Sequence, residues 1–215
     1  MPATADHGTT RSKLVVAQPA EHPVPLDLGA SPGVRRWVID RIPPDQSLLA
    51  HHGQAPRQPP WSALHWLWCI PGAEPALPVP LVAHRVREHL GWDYERTWPD
   101  GTATPGIKQL SILHRGRNAT DEEFLARYRA HVPEAKRHMP GLWKYVQNVY
   151  DPLPAERTDP SGISELWFAS VDDFRDRYWA TPETQAEENA EVATFLSSRT
   201  WSLLAIEHIQ LDLDR

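Results

Sequence analysis

The sequence predicts an α+β fold in which two tandem β-α-β-β-α-β repeats close into a pseudo-dimeric α/β barrel. Strand-like and helix-like segments follow the same order before and after a turn-rich linker at 99–106. The strands expected near 64–70 and 166–169 are apolar on both faces. That pattern is typical of a sheet with helices on one side and a barrel interior on the other. Two four-stranded sheets of this kind can bury their open faces against each other.

Each half of the chain supplies four strands and two helices in the predicted fold. Short apolar or alternating runs indicate strands, and longer periodic segments indicate helices. The first half is expected to contain a strand at 14–17, a helix at 34–41, strands at 47–52 and 62–70, a helix at 80–90 and a strand at 92–98. The second half is expected to contain a strand at 107–114, a helix at 121–138, strands at 142–150 and 163–171, a helical region at 172–196 and a strand at 201–211. This order divides the chain into a flexible N-terminal tail (1–12), an N-terminal repeat (13–104) and a C-terminal repeat (105–215).

The helix at 121–138 carries the clearest local pattern. Phe124, Tyr128 and His131 recur at i, i+4 and i+7, so they share one face that turns towards the protein body. Pro133 removes a backbone donor and clashes with the preceding turn, which predicts a kink. His131 is therefore expected to lie buried beside a break in the helix.

Composition and charge exclude several classes of function. The 215 residues are 40% hydrophobic and include ten Trp, which suits a globular protein with an aromatic cavity. The net charge of −6 is spread along the chain without a basic run, so nucleic acid is not an expected partner. Cys69 is the single cysteine, which leaves no disulfide framework or cysteine zinc cluster. Its apolar neighbours indicate an inert core thiol.

The chain has no pattern typical of a membrane or secreted protein. Its polar start lacks an apolar stretch, and no segment reaches the roughly 20 apolar residues of a spanning helix. We therefore expect a cytoplasmic protein with no membrane partner. In that setting Asn118 is not a glycosylation site, and Thr120 with Glu123 instead forms a capping box that opens the next helix.

An ordered set of residues in the second half carries a family resemblance: Arg115, Phe124, Tyr128, His131-Val-Pro133, Pro140-Gly141, Tyr145-Val-Gln-Asn148, Glu165-Leu-Trp-Phe168 and Phe195. By these residues the chain resembles the EthD family, a branch of the dimeric α/β-barrel (ferredoxin-like) superfamily, here as a tandem duplication. The sequence departs from the family pattern at Glu191, where an Asp before Phe195 is usual. The first half lacks the Phe…His-x-Pro helix, so we expect one principal site.

The resemblance implies an enzyme of secondary metabolism that needs no cofactor. EthD-like and related barrels include cofactor-free decarboxylases, dehydratases and cyclases that act on polyketides, and the superfamily also contains quinone-forming monooxygenases and haem proteins. Our leading hypothesis is a lyase or isomerase of antibiotic or other natural-product biosynthesis, which binds a small hydrophobic, aromatic or polyketide-like intermediate in a barrel pocket. The alternatives are a non-catalytic binding protein for a hydrophobic metabolite and a cofactor-free or haem monooxygenase.

The candidate site residues fall into two groups. Groups able to exchange a proton near neutral pH or to polarise a carbonyl are the candidate catalytic residues: His131, Tyr145, His114, His208 and His65. Groups able to stack on an aromatic ligand or orient it are the candidate substrate-binding residues: Trp66, Trp143, Trp167, Tyr128, Asn148 and His51. Each has a structural alternative as a satisfied core histidine, a packing aromatic or a strand-end cap. Tyr145 and Asn148 have opposite parity on one strand, so only one of them points into the barrel.

No metal site is predicted. His131 and His138 are seven residues apart, about 10.5 Å along a helix, which is too far to bind one ion from that helix. Glu165 and Glu207 lie in strands expected to be buried, where a carboxylate must be paired. Two basic residues are the expected partners: Lys108 and Arg115. A duplicated barrel closes without a second chain, so a monomer or homodimer is expected.

Overall fold

The structure, a computed structural model, describes residues 11–21 and 23–214. Its centre is a closed barrel of eight strands in which every neighbouring pair is antiparallel. The strands are β1 (Ser12–Pro19), β2 (Val34–Arg41), β3 (Trp61–Cys69), β4 (Ala83–Trp92), β5 (Ile107–Leu113), β6 (Leu142–Tyr150), β7 (Gly162–Phe168) and β8 (Trp201–Asp212). Their order around the barrel is β1-β3-β2-β8-β5-β7-β6-β4, and β4 pairs with β1 to close it.

The α-helices that the structure describes all lie in the second half of the chain: α1 (Asp121–Ala130), α2 (Val132–His138), α3 (Val171–Asp176) and α4 (Pro182–Val192). The capping box of Thr120 and Glu123 opens α1, as the sequence predicts. The expected break also forms, since α1 ends and α2 begins around His131, with Pro133 in the first turn of α2. No described helix is long and apolar enough to cross a membrane.

The predicted fold class is wrong. The chain forms one closed antiparallel barrel with few helices, not two tandem ferredoxin-like α/β repeats in a pseudo-dimeric arrangement. The segments predicted as helices at 34–41 and 80–90 are strands β2 and β4, and the predicted strand at 47–52 is a short 3-10 helix, Ser47–His52. The strand predicted at 92–98 is also wrong, because β4 already ends at Trp92. Of the predicted tail, residues 1–10 lie outside the described residues, and Ser12 already belongs to β1.

Tertiary pairing explains why β2 and β4 are strands. β2 lies between β3 and β8, and β4 lies between β1 and β6, so both edges of each strand find backbone partners. These partners satisfy the backbone groups of the two segments and outweigh their local preferences. Both halves have the same spatial order of strands, but loops instead of helices cover the outer face of the first half. Leu28, Leu77 and Leu81 of these loops pack on that face.

The barrel interior combines an apolar layer with buried charges. Trp66 lies at the centre of the apolar layer, which residues of both halves form. Lys108 is 1% exposed and contacts three carboxylates: Asp40 at 2.7 Å, Glu165 at 2.5 Å and Glu207 at 3.2 Å. The expected pairing of the two buried glutamates with Lys108 is therefore confirmed, whereas Arg115 pairs with Asp121. These ion pairs fill the interior, so the larger cavity of the molecule lies elsewhere.

Candidate functional site

The main cavity lies between the outer wall of the second-half strands and the helices that cover it. Its volume is about 400 Å³. Alternation along the strands turns Gln109, Ser111, Ser164, Leu166 and Ser202 outwards to form its floor, while their neighbours face the barrel interior. Helices α1 and α4 supply one side wall together with His131 and Met139, which flank α2, and the loop that follows the 3-10 helix supplies part of the rim, including Arg57. The cavity is thus outside the barrel, not in its interior as the sequence suggested.

His131 reaches this cavity because the helix breaks at its position. The residue ends α1 and precedes α2 with φ −68° and ψ −18°. Its side chain retains 7% of its exposure and lines the cavity. The ring packs edge-on to Tyr145 at 6.4 Å between centroids and near Phe195 at 6.2 Å. The helix break, together with the inward face that His131 shares with Phe124 and Tyr128, places its imidazole at the wall of a partly apolar cavity.

Two carboxylates of α4 face the two ring nitrogens of His131. Nδ1 hydrogen-bonds Oε2 of Glu191 at 2.8 Å. Nε2 lies 2.8 Å from Oε1 of Glu188, close enough for an ion pair, but the two groups are not aligned as a hydrogen bond. Burial lowers the pKa of His131, yet the close contacts and negative charges of these two carboxylates outweigh it, so the pKa is raised above its ordinary value.

Glu188 is itself held by a second histidine. His138, at the end of α2, hydrogen-bonds Oε2 of Glu188 through Nδ1 at 2.8 Å. Arg137 donates to Nε2 of His138 at 3.0 Å, so Nδ1 is the nitrogen that carries the proton donated to Glu188. Burial raises the pKa of Glu188, but the close contacts with His131 and His138 lower it by more, so the net pKa is below its ordinary value. The carboxylate is therefore a fixed negative charge beside His131.

Tyrosine hydroxyls and strand side chains make a neutral polar surface opposite the histidine. Tyr128 shares a hydrogen bond of 2.7 Å with Ser164, and Gln109 donates to the Tyr178 hydroxyl at 3.0 Å. Burial raises the pKa of Tyr145 to about 12. Burial also raises the pKa of Tyr178, so these hydroxyls stay protonated near neutral pH. The cavity thus offers hydroxyl groups and one ion-paired imidazole to a ligand, between apolar side chains such as Leu166.

The comparison with known proteins agrees with the resemblance deduced from the sequence. The model of the EthD domain family matches residues 117–199, which include α1, α2, α4 and His131. These residues are similar to an EthD domain. The match spans the helical wall of the cavity and two strands of its floor. No curated protein is similar enough in sequence to serve as a relative.

Two solved structures align with this chain over most of its length, which includes the part outside residues 117–199. One is described as an anthrone oxidase-like protein, with a TM-score of 0.54 and 12% identity over 99% of this chain and 98% of that chain. The other is described as a "Putative monooxygenase" from Fusobacterium nucleatum subsp. nucleatum, with a TM-score of 0.46 and 10% identity over 93% of this chain and 92% of that chain. At such identities the first likeness shows a shared fold.

Three of the predicted site residues line this cavity: His131, Tyr145 and Tyr128. The parity argument is also confirmed, since Tyr145 faces the cavity and Asn148 faces the barrel interior, where it donates to Glu165 at 2.7 Å. The roles of all these residues in binding or catalysis stay predictions.

The other predicted site residues lie away from the cavity. Trp66 and Trp167 are in the barrel interior, where Lys108 lies over both rings. Trp143 stacks on Tyr94 at 4.2 Å between ring centroids. The remaining histidines are outside the cavity lining: His51, His65, His114 and His208.

His65 is an example of a satisfied core histidine. Trp37 donates to its Nδ1 at 3.2 Å, and its Nε2 lies 3.1 Å from Oε1 of Gln18. Burial, with a smaller contribution from the charge of Arg41, lowers the pKa of His65 to about 4. The ring is therefore neutral near pH 7 and bridges two side chains of the first half.

Sequence reasoning missed Glu188, Gln109, Ser164 and Tyr178 as cavity residues. Ser164 and Gln109 are ordinary strand residues whose outward parity becomes informative only when the helices are in place. Glu188 and Glu191 are three residues apart on one helix face, a spacing visible in the sequence. Nothing in that spacing says which histidine they meet.

The same cluster also decides how a metal ion would fit. One ligand atom each from His131, Glu188 and Glu191 lies within 4.8 Å of the others. Both nitrogens of His131, however, are directed at carboxylates in ion-pair contacts of 2.8 Å. A protonated imidazole has no lone pair for a metal. We therefore interpret the cluster as an ion-pair network and not as a ligand set.

Proposed function

We propose that this protein is an enzyme that binds a small, flat, hydroxylated aromatic or polyketide-like molecule in its main cavity and catalyses a lyase or isomerase reaction on it. Cyclisation, dehydration and decarboxylation are the reactions considered. The observation that carries this proposal is the coexistence, in one cavity of about 400 Å³, of an ion-paired His131 and several tyrosine hydroxyls between apolar walls. Cavities of that size bind small organic molecules.

The wall chemistry favours a substrate that is apolar in its body and oxygenated at its edges. Leu166, Val192 and Phe195 offer apolar surface to a ring system. Tyr145 and Gln109 lie where ring hydroxyls or carbonyls can hydrogen-bond. The charged imidazole of His131 lies at one end of this surface, where it can stabilise negative charge on a substrate oxygen. Such stabilisation assists each of the three reactions, because each passes through an enolate or phenolate.

The cavity also supplies positioning and exclusion of water. Its floor and walls are built on strands and helices, so a ligand held between them keeps one orientation. We propose that no organic cofactor takes part and that the substrate supplies the reactive groups. The substrate itself, the cytoplasmic location and the monomeric or homodimeric state stay expectations.

The test begins with purified protein and a panel of hydroxylated aromatic ketones, including anthrones, because the name of one structure of the same fold suggests that class. Products are identified by mass spectrometry with an oxygen electrode in parallel. Loss of water or CO₂, or an isomer of unchanged mass, supports the proposal. Gain of oxygen with O₂ consumption favours the monooxygenase alternative, and tight binding without conversion favours a carrier.

Two variants locate the reaction. His131→Asn removes the imidazole at the cavity wall and is expected to lower kcat by about tenfold or more, the loss of one bond to a charged group. His51→Asn is the matched control, since His51 is exposed on the 3-10 helix and does not line the cavity. Equal activity of the two variants would refute the assignment of the site.

A further inference from the structure

We propose that His131 works as an imidazolium cation whose Nε2–H is offered to a carbonyl, enolate or phenolate oxygen of the substrate, and that Glu188 and Glu191 are the positioning residues that keep it protonated. This inference rests on the proposed function and assigns the role of its central residue. The role is that of a charged hydrogen-bond donor. A general base would need a free lone pair on the same ring.

Two carboxylates flank the imidazole ring of His131. A neutral imidazole has one N–H group and one lone pair, so it can satisfy one carboxylate but repels the second. His131 faces a carboxylate at each nitrogen, both at 2.8 Å. Only the protonated ring has a donor for both. The contacts therefore select the cation, and the raised pKa of His131 agrees with that choice.

The contacts of His131 with Glu191 and Glu188 differ in their alignment. Nδ1 makes a regular hydrogen bond to Glu191, which fixes the ring. Nε2 is beside Oε1 of Glu188, and within residues 11–21 and 23–214 that oxygen has no aligned donor. The Nε2 proton is thus close to a negative charge but not committed to a directed bond. Because the side chain keeps 7% exposure and lines the cavity, this proton is the one a ligand oxygen can accept.

Glu188 is itself held in place by neighbouring side chains. Its Oε2 accepts from Nδ1 of His138 at 2.8 Å, and Arg137 holds the far side of that ring. Glu188 is 3% exposed, so its charge acts on His131 with little screening by water. The fixed, buried carboxylate of Glu188 beside Nε2 therefore keeps the ring of His131 protonated without accepting a directed hydrogen bond from Nε2. This arrangement resembles the preorganised donors that stabilise an oxyanion.

Several titratable groups surround His131 and Glu188. They come from α2, β6, the segment after α3, and α4: His138, Tyr145, Tyr178 and Glu191. Glu187 of α4 lies instead 3.4 Å from Nε2 of His138. The two tyrosines have raised pKa values and stay neutral, so they do not compete for the proton. His131 is therefore the one proton-carrying cation between two carboxylates, those of Glu188 and Glu191.

The chemistry of this donor defines the ligand class. A cation at the end of an apolar cavity favours a molecule whose oxygen becomes negative, such as an enolisable ketone or an acidic phenol. It gives no advantage to hydrocarbons. We therefore infer that the substrate carries a carbonyl or ionisable hydroxyl that points to His131 when its rings lie against Leu166 and Phe195.

The first experiment needs no substrate. NMR of the full chain labelled with ¹⁵N-histidine, with the signals of His131 assigned by their absence in His131→Asn, reports both ring nitrogens. We expect an imidazolium at neutral pH, and a titration that moves to lower pH in Glu188→Gln. Glu187→Gln is the control, because Glu187 is an exposed carboxylate of the same helix whose described contact is with the far nitrogen of His138 and not with His131. A neutral His131 tautomer at neutral pH, or equal titration in both variants, would overturn the assignment.

The second experiment tests the ligand class with 2-hydroxyanthraquinone, whose absorption reports whether its hydroxyl is ionised. The wild-type protein should bind it as the phenolate, and both His131→Asn and Glu188→Gln should weaken binding of that form by roughly 10- to 100-fold. Glu187→Gln should not. Binding as the neutral phenol overturns the proposed donor. If NMR shows that His131 is an imidazolium but 2-hydroxyanthraquinone does not bind, the ligand assignment is overturned, and with it the proposed function. The charged state of His131 is then still established.

Discussion

The buried ion-pair cluster in the barrel predicts that Lys108→Met is strongly destabilising. The ammonium group of Lys108 is the common partner of Asp40, Glu165 and Glu207 at distances of 2.5 to 3.2 Å, and all four side chains are at most 4% exposed. Removing Lys108 takes away the cation that contacts Asp40 and Glu207, while Glu165 keeps its second partner, Lys13, at 2.9 Å. Breaking a buried pair in this way costs about 3–5 kcal/mol. In a chain of this size, that cost lowers the melting temperature by roughly 6–20 °C.

The cost should also depend on pH in a defined direction. Burial already raises the pKa of Asp40 to about 7 although Lys108 opposes the shift. Without Lys108 the carboxylates should take up protons in the folded state at higher pH than in the unfolded chain. A group with a raised folded-state pKa stabilises the fold below its unfolded pKa and loses that contribution as pH rises. The penalty of Lys108→Met should therefore be smallest in acid and grow towards alkaline pH.

Denaturant unfolding followed by tryptophan fluorescence measures this penalty at several pH values. Lys136→Met is the matched control, because Lys136 is an exposed lysine of α2 whose described contact is with the Trp92 ring at 5.5 Å. Its loss should cost no more than about 1 kcal/mol. If Lys108→Met costs no more than this control, or if its penalty does not shrink on acidification, the reasoning about the buried cluster is wrong.

Three further predictions concern local features. Thr120→Ala removes the capping box of α1 and should lower the free energy of unfolding by about 0.5–2 kcal/mol, and an unchanged urea midpoint would contradict this. Gly106→Ala should cost about 4 kcal/mol or more, because φ is +85° and a Cβ would lie 1.9 Å from the carbonyl oxygen of Phe168. Gly101→Ala is its control, with φ +80° but nothing within 4 Å, and should cost about 1–2 kcal/mol by the same assay. The raised pKa of His131 should stabilise the fold below its unfolded pKa and lose that contribution as pH rises through the folded pKa, so thermal melts of His131→Asn should lack this alkaline loss.

Local signals in the second half made several features predictable. The capping box at Thr120, the break at His131 and the opposite parity of Tyr145 and Asn148 depend on residues a few positions apart. The bounds of β6 also agree with the sequence pattern. These features can be predicted without knowing distant contacts, because each of them depends on residues that are close together in one helix or one strand.

The first half shows where such reasoning fails. β4 contains Arg85, Arg87 and His89 among apolar residues, a mixture that fits a helix as well as a strand. Its pairing with β1 and β6 decides the outcome, and β6 is more than fifty residues away in the chain. The fold class was wrong for this reason, since two segments assigned as helices are needed to close the barrel.

In the candidate site, too, some features depend on neighbours in sequence and others depend on the tertiary structure. The sequence by itself determined that His131 lies at a helix break on an inward face, that Tyr128 shares this face, and that the buried glutamates of the strands need a cation. Only the tertiary structure decided that Glu188 and Glu191 meet the two nitrogens of His131, and that the cavity lies outside the barrel wall. The physical reason is that a turn or a helix stripe is set by neighbours in sequence, whereas the charge state of a histidine is set by the groups that folding brings within a few ångströms of it.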